Sequence, residues 1–419
     1  MQFGLIGRQL GHSFSKELHG KIGNYQYDLL ELEPEQLARF FRERNFKGIN
    51  VTVPYKEKVL SFLDVMSDTA QNIGAVNTVV NVKGKLFGDN TDFAGFKSLL
   101  CHNKFNVKNK KVLVLGTGGT SKTVTAVLNF FNCDNVIKVS HSGATNAVSY
   151  DDVYLKHSDA DFIVNTTPVG MFADMDCVPL DISKFANLQG VADVIYNPLR
   201  TDLQLAAMGK KIKYCGGLYM LVAQAVYASA LFQNIKPDAT VVKKVYLELL
   251  TEKQNIVLTG MPSCGKSSVG KCLAAKLKRN FVDTDVLLAG KLGCKVDDFL
   301  KNYGESEFRK RETNIIKEIS MQNGIVIATG GGAVLNGQNI KNLKHNGVVF
   351  FLDRDFNLLQ VSSDRPLSDN KTKLQKMFED RYLVYKNSAD ICLDGNGGVE
   401  ETANLILKEW RRYNENISA

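Results

Sequence analysis

The sequence predicts an α/β protein with parallel sheets, and three observations lead there. A wholly apolar strand core, VLVL at Val112–Leu115, runs straight into the glycines of GTGGTS and then into a helical pattern. A second apolar strand, Ile256–Thr259, does the same, running into GMPSCGKSS at Gly260–Ser268 and another helix. Around both, short apolar runs alternate with helical patterns, as they do when strands pair through crossover helices. At 419 residues the chain is too long for one ordinary domain and comfortable for two or three.

The elements follow in order. Apolar runs at Phe3–Ile6, Tyr25–Leu32 and Gly48–Val53 accompany a helix at Pro34–Arg44, and short strands around a Lys83-Gly84 turn close the first part. Strand Lys110–Leu115 and helix Ser121–Phe131 open a new series, with strands expected at Asn135–Ser140, Asp161–Asn165, Gly190–Asp193 and Lys213–Tyr214. A helical section runs from Gly217 to Leu250, and the polar TEKQN at Thr251–Asn255 reads as a short linker. After strand Ile256–Thr259 come helices around Ser267–Leu277, Val286–Leu292 and Ser306–Asn323, strands at Ile325–Ala328 and Val348–Leu352, and a last helix at Val399–Tyr413.

Bulk composition narrows the function classes. Hydrophobic content of 44% and charged content of 23% are those of a soluble globular protein. The net charge of +8 is mild for this length, and its basic residues are scattered, without the clustered stripe of a nucleic-acid surface. Anionic small substrates account for it better than nucleic acid. The eight cysteines form no CxxC pair and no zinc-spaced cluster, so they read as reduced thiols of a cytoplasmic protein. The N-terminus shows no signal-peptide pattern, and the longest apolar stretch, Tyr219–Phe232, is too short to span a bilayer. It reads as a buried or amphipathic helix, and no membrane partner is expected.

GTGGTS has the strand–turn–helix setting of a Rossmann dinucleotide turn, with Ser121 as a small substitute at the third glycine position. The second strand ends in VSHSG, offering neither the acid that binds the ribose of NAD nor an arginine for a 2′-phosphate; His141, Ser142 and Thr145 are what it offers instead. GMPSCGKSS satisfies G-x-x-x-x-G-K-[ST] in full. Backbone N–H groups of such a loop cradle phosphates, Lys266 reaches the β/γ-phosphates and Ser267 binds Mg²⁺. Downstream, VDTD places Asp283 and Asp285 at a strand end, where they are expected to point differently, one toward metal and one toward substrate. Guanine-reading NKxD signatures are absent.

Over residues 1–245 the chain resembles the shikimate dehydrogenases. GLIGRQLGHSFSKELH (Gly4–His19), GINVTVPYK (Gly48–Lys56), IGAVNT (Ile73–Thr78), GDNTDFAGF (Gly88–Phe96), NTTPVGM (Asn165–Met171), DVIYNPLRT (Asp193–Thr201) and GGLYMLVAQA (Gly216–Ala225) occur in that family's order. The resemblance implies Lys56 and Asp92 as the catalytic pair, and Ser13, Ser15, Asn50, Thr52, Asn77, Tyr196 and Gln224 around the substrate's hydroxyls and carboxylate. Singly, Lys56 reads as a solvated lysine and Asp92 as a cap residue; a lysine ammonium held by a carboxylate is nonetheless what ketone reduction asks of a proton donor. The dinucleotide surface implied is Gly116, Gly118, Gly119, Thr120, Ser121, His141, Ser142, Thr166, Thr167, Met171 and Gly217. The family's usual cofactor is NADPH; the departure at SHSGATN leaves NADH open.

From Asn255 onward the order VDTD, GESEFRKRE (Gly304–Glu312), ATGGGAV (Ala328–Val334), DRPLS (Asp364–Ser368) and DRYLVYKNSAD (Asp380–Asp390) resembles the shikimate kinases. The resemblance implies an ATP surface of Gly260, Ser263, Cys264, Gly265, Lys266, Ser267, Ser268 and the lid residue Arg365. Asp285 would hold the reacting hydroxyls, Arg309 and Arg381 would clamp the carboxylate, and Gly330, Gly331 and Gly332 would let the ring approach the backbone. Ser267 and Asp283 would hold Mg²⁺, the aspartate through water.

The organisation expected is a substrate-binding domain at 1–100 completed by helices at 217–250, a Rossmann domain at 101–216, a linker at 251–255, and a P-loop, three-layer α/β kinase domain with a parallel sheet at 256–419. The function implied is bifunctional: reduction of 3-dehydroshikimate to shikimate with NADPH, then phosphorylation of shikimate by Mg·ATP. Two alternatives keep the folds: one half inactive and regulatory, or an altered substrate such as quinate.

Overall fold

A computed structural model describes residues 2–11, 13–141, 146–360 and 370–417. The chain divides into two compact units at Leu249/Leu250. The helix Ala239–Lys253 runs through that division. Thr251–Lys253, expected as linker, therefore close a helix, and Gln254 alone precedes the next strand. Thr251, Glu252 and Lys253 interrupt no helical hydrogen bond, since none is proline.

The first unit holds two sheets. The first is mixed, in the order β2-β1-β3-β5-β6-β4, from strands β1 (Phe3–Gly7), β2 (Tyr27–Glu31), β3 (Gly48–Val51), β4 (Val65–Met66), β5 (Thr78–Val82) and β6 (Lys85–Asp89). The pair β1–β3 is parallel, and β3–β5 and β5–β6 are antiparallel, the last joined by the Lys83-Gly84 turn with both residues at positive φ. The second sheet is wholly parallel, in the order β11-β10-β9-β7-β8, from β7 (Lys111–Leu115), β8 (Asn135–Val139), β9 (Phe162–Asn165), β10 (Gly190–Asp193) and β11 (Lys213–Cys215). Val112–Leu115 are buried because helices cover both faces, which is why this strand reads as an unbroken apolar run.

The chain leaves β7 for β8 on one side and returns to β9 on the other. The carboxyl end of β7 is therefore a topological switch point, where α/β sheets open their ligand crevice. Leu218–Gln233 is the greasy helix expected; it packs on helix Thr91–His102 and is buried, not membrane-spanning. Among the described residues no helix is long and apolar enough to cross a membrane.

The second unit is built on one parallel sheet, order β13-β14-β12-β15-β16, from β12 (Asn255–Thr259), β13 (Phe281–Asp283), β14 (Val326–Ala328), β15 (Gly347–Asp353) and β16 (Ile391–Asp394). Its core gathers Ile256–Leu258, Val326–Ile327 and Val348–Leu352 with Leu273, Ile316, Tyr385 and Trp410 from the helices. Here the switch point falls at the end of β12, between β14 and β15. The helix expected at Ser306–Asn323 begins earlier, at Val296, and is broken at Gly304, whose φ of 78° departs from helical geometry. That break makes Arg309 a residue near the start of the following segment.

Candidate functional site

In the first unit, Lys56 lies in the loop after β3 and Asp92 in the first turn of helix Thr91–His102. Lys56 Nζ donates to Asp92 Oδ2 at 2.6 Å, with side chains 14% and 9% exposed. Both ends of this pair are fixed by backbone. The Lys56 carbonyl accepts from Val76 N at 2.8 Å. Asn90 caps the Asp92 helix, accepting from Phe93 N, and its Nδ2 donates to Ala75 O and to Thr123 Oγ1 on the dinucleotide helix.

The dinucleotide turn reaches the same place. Gly116 has φ 103° and donates N–H to Val139 O, bending the chain off β7. A Cβ on Gly118 would meet no atom within 4 Å, so open space lies beside this turn; a Cβ on Gly119 would lie 3.6 Å from the Lys56 side chain. Thr166 Oγ1 donates to Leu115 O at 2.5 Å and Thr167 Oγ1 to Asn165 Oδ1 at 2.7 Å, tying the β9 loop to the turn. Thr120 is half-buried beside them in the helix's first turn, and Met171 is exposed. Gly217 packs its α-carbon against the Val194 carbonyl, where any side chain would collide. Ser121 is fully buried on the inner side of helix Gly119–Phe130. Its small side chain serves close helix–strand packing, as expected at the third glycine position of the turn. His141 is exposed and stacks on Tyr150, with centroids 4.0 Å apart; Ser142, Thr145 and their neighbours lie outside the described residues.

The expected substrate residues divide into two groups. Ser13 Oγ donates to Ser15 Oγ at 3.0 Å and Tyr196 hydrogen-bonds Ser13, so the N-terminal motif and the loop after β10 meet. Burial pushes the Tyr196 hydroxyl up from its usual pKa. Gln224 comes close to the Asp92 helix because Gly95 lets the two helices touch: a Cβ there would lie 2.8 Å from Met220 O and 3.0 Å from Gln224 Cβ. Thr52 is half-buried beside Gly7. Asn50 and Asn77 are buried and spend their amides internally. Asn50 Oδ1 accepts from Tyr27 Oη at 2.8 Å and its Nδ2 donates to Thr78 Oγ1, while Asn77 Oδ1 accepts from Thr91 N at 2.7 Å. Thr78, Thr91 and Asn90, absent from the sequence expectation, are the network that sets the Asp92 helix. Only their place inside IGAVNT and GDNTDF marked them.

In the second unit the carboxyl ends of β12, β13 and β14 each carry one motif. After β12, Gly265 (φ 99°) caps helix Lys266–Leu277, and Lys266 Nζ folds onto the loop itself, donating to Gly260 O at 2.9 Å and Met261 O at 2.8 Å. Ser268 is exposed and Ser263 holds φ 65°. Cys264 and Met261 are each only 2% exposed and belong to the core. They anchor the loop from below, which suits the Cys264 side chain to a filler role while leaving the backbone N–H groups as the loop's phosphate-facing donors.

After β13, Asp283 accepts from Ser267 Oγ at 2.5 Å and from Asp285 N at 3.0 Å, capping helix Thr284–Leu292. Asp285 is thus in a helical first turn; in a continued strand, residues two apart would share a face, and the cap on Asp283 ends the strand before that. After β14, the glycines leave room filled by side chains: a Cβ on Gly330 would fall 2.2 Å from Asp285 Oδ1, and one on Gly332 2.2 Å from Arg309 Nη1. Arg309 pairs with Glu312 and Glu305, both at 3.0 Å, and Arg381 Nη1 donates to Gly331 O at 3.2 Å. Burial pushes the Glu312 carboxyl up, against the pull of Arg309 and Arg381. Glu312 and Tyr385, whose hydroxyl donates to Gly331 O, were missed in the sequence; their spacing of three from Arg309 and four from Arg381 on helices was the available signal. Arg365 lies outside the described residues.

Comparison with known proteins follows this division. The family model for the shikimate dehydrogenase substrate binding domain matches residues 5–79, and that for shikimate kinase matches residues 262–411. A shikimate dehydrogenase (NADP(+)) of Clostridium beijerinckii is 34% identical over 259 residues, covering 58% of this chain and 96% of its own. Two solved structures are similar over 59% of the chain. Shikimate dehydrogenase 1 of Peptoclostridium difficile has a TM-score of 0.56 at 32% identity and is covered to 98%. A shikimate 5-dehydrogenase of Thermus thermophilus in complex with NADP(H) and shikimate has 0.54 at 30% and is covered to 99%.

Proposed function

The chain belongs to the shikimate dehydrogenase family over its first unit and carries a shikimate kinase domain in its second, and from that premise we propose that it makes shikimate and then phosphorylates it. The first unit reduces 3-dehydroshikimate with NADPH; the second transfers a phosphoryl group from Mg·ATP to the 3-hydroxyl of shikimate. The observation that carries the reading is the juxtaposition in each unit of a nucleotide turn with a matched chemical pair: Gly119 beside Lys56–Asp92, and the Gly260–Ser268 loop joined through Ser267–Asp283 to Asp285.

In the first unit, Lys56 is the proton donor. Its ammonium neutralises charge developing on the carbonyl oxygen and passes it a proton, while Asp92 holds the ammonium in place. Ser13, Ser15 and Tyr196 form a hydroxyl cluster suited to a polyhydroxylated acid. The open space beside Gly118 fits a pyrophosphate at a helix N-terminus, and NADPH supplies the hydride when bound there.

In the second unit, Asp285 accepts the proton of the attacked hydroxyl and Arg309, braced by Glu312, holds the carboxylate with Arg381. Lys266 exchanges the two loop carbonyls for phosphate oxygens. The hydroxyl of Ser267 and carboxylate of Asp283 are hard oxygen donors. They fit a magnesium ion carried in by phosphates, which takes one or two protein ligands.

The test is direct. The purified chain given 3-dehydroshikimate, NADPH and Mg·ATP is expected to yield shikimate 3-phosphate. Absence of shikimate oxidation with both NADP⁺ and NAD⁺ would sink the first half, and unchanged phosphorylation in Asp285→Asn would sink the roles assigned in the second.

A further inference from the structure

Arg354 stands directly after β15, beside the phosphate loop, and neither the loop motif nor the acceptor cluster uses it. Its Nη1 lies 3.8 Å from where a Gly265 Cβ would be. On its other side Nη1 donates to Gly395 O across a long 3.4 Å, and Nε is buried with no acceptor among the described residues. The acids around it have other donors. Asp353 accepts from Tyr382 Oη at 2.8 Å, Asp355 from Asn357 N at 2.9 Å and Asp394 from Asn396 N at 2.9 Å. A guanidinium has five N–H groups, and leaving a buried one unsatisfied is costly. An arginine held this way, with no carboxylate partner among the described residues, suits an anion.

The topology says which anion. Asp285, Arg309 and Arg381 occupy the β13–β14 side of the switch point, so the acceptor takes that side. Arg354 lies on the opposite side, between the loop after β12 and the Gly395–Gly398 loop after β16. Asp355 N donates to Asn396 Oδ1 at 2.8 Å and Gly395 N to Asp353 O at 2.7 Å, so the backbone around Arg354 is pinned to that second loop. We propose that Arg354 is a further nucleotide-binding residue, contacting the polyphosphate of the nucleoside triphosphate from the side of Gly265 opposite the acceptor. This rests on the reading of Gly260–Ser268 as a nucleotide loop.

Calorimetric titration of the full chain with Mg·ATP, Mg·ADP and AMP tests it. Arg354→Gln is expected to raise the Kd for Mg·ATP and Mg·ADP about tenfold, as loss of one charge-assisted phosphate contact does, and that for AMP far less. Arg354→Lys, which keeps charge and stem, falls between and carries the test if the glutamine variant does not fold. The KM for shikimate stays put, because the acceptor lies on the other side. Wild-type affinity for Mg·ATP in both variants overturns the assignment, as does an equal loss for all three nucleotides, the mark of a purely structural side chain. A wild-type chain that takes up no Mg·ATP overturns the loop reading and this inference with it.

Discussion

Lys56 and Asp92 meet at 2.6 Å although 36 positions separate them in the chain, one on a loop and the other on a helix first turn. The value of this pair lies in catalysis more than in stability. The attraction within a buried ion pair is largely offset by the desolvation of both charges, whereas a positioned acid contributes roughly 10²–10⁴ in rate. Lys56→Ala is therefore expected to lower kcat for shikimate oxidation by about 10³. Asp92→Asn should lower it by about 10² through an unheld ammonium, and the double variant should be no worse than Lys56→Ala alone. Additive losses in the steady-state kinetics would show that the two residues act separately.

Lys266 is expected to serve the second unit alone. Its ammonium closes the loop on Gly260 O and Met261 O, and on the proposed reading it turns to phosphate when nucleotide binds. Lys266→Ala should reduce phosphorylation by two or more orders of magnitude, roughly the worth of a preorganised charge at a transferring phosphoryl group. Shikimate oxidation, measured on the same preparation, monitors the first unit. A phosphorylation rate within about threefold of wild type, far short of such a charge's worth, would remove Lys266 from the mechanism.

Much of this was legible in the sequence, and what was not has physical causes. The two glycine turns and the buried VLVL strand follow from motif and periodicity, and the Lys56–Asp92 pair from the resemblance to the shikimate dehydrogenases. A motif gives positions in a loop but not which side of the backbone faces the core, and only the structure shows that the Ser121 and Cys264 side chains point inward. Asp285 was assigned to a strand because VDTD alternates like one, while the capping oxygen of Asp283 starts a helix there. Asn50 and Asn77 look like free amides in sequence, but tertiary pairing with Tyr27, Thr78 and Thr91 occupies them. Arg354 belongs to no motif, and only the pairing of β12 with β15 brings it to Gly265.

Asp283 accepts from Ser267 Oγ on one side and from Asp285 N on the other, and on the proposed reading it joins the metal to the substrate. Asp283→Asn keeps the cap, since asparagine caps as well as aspartate, but removes the charge. The half-saturating Mg²⁺ concentration for phosphorylation should rise about tenfold, while the far-UV spectrum stays unchanged. Chelation with EDTA should abolish phosphorylation and spare shikimate oxidation. Loss of both activities on chelation would point to a metal in the first unit as well.

The first unit holds two buried titrating groups with opposite effects on stability. Burial pushes the Asp193 carboxyl up to about 6, against donors from Thr201, Ile195 and Asn165. Its contribution is fully present below the unfolded value of 3.8 and is lost as pH rises through 6. Burial lowers His19, stacked on Tyr27 and bonded to Tyr25, to about 3. Its contribution is present above 6.5 and is lost as pH falls toward 3. Between about pH 4 and 6 the native state thus gains a proton at one site and refuses one at the other, each with a slope near ~1.4 kcal/mol per pH unit and of opposite sign. The two cancel in the wild type. Asp193→Asn should expose the histidine and make stability climb with pH across that window, and His19→Gln should expose the carboxyl and make it fall. Urea unfolding followed by circular dichroism reads both slopes, with fluorescence of the single tryptophan, Trp410, reporting the second unit separately. Parallel pH profiles for wild type and both variants would mean that neither group is shifted by its burial.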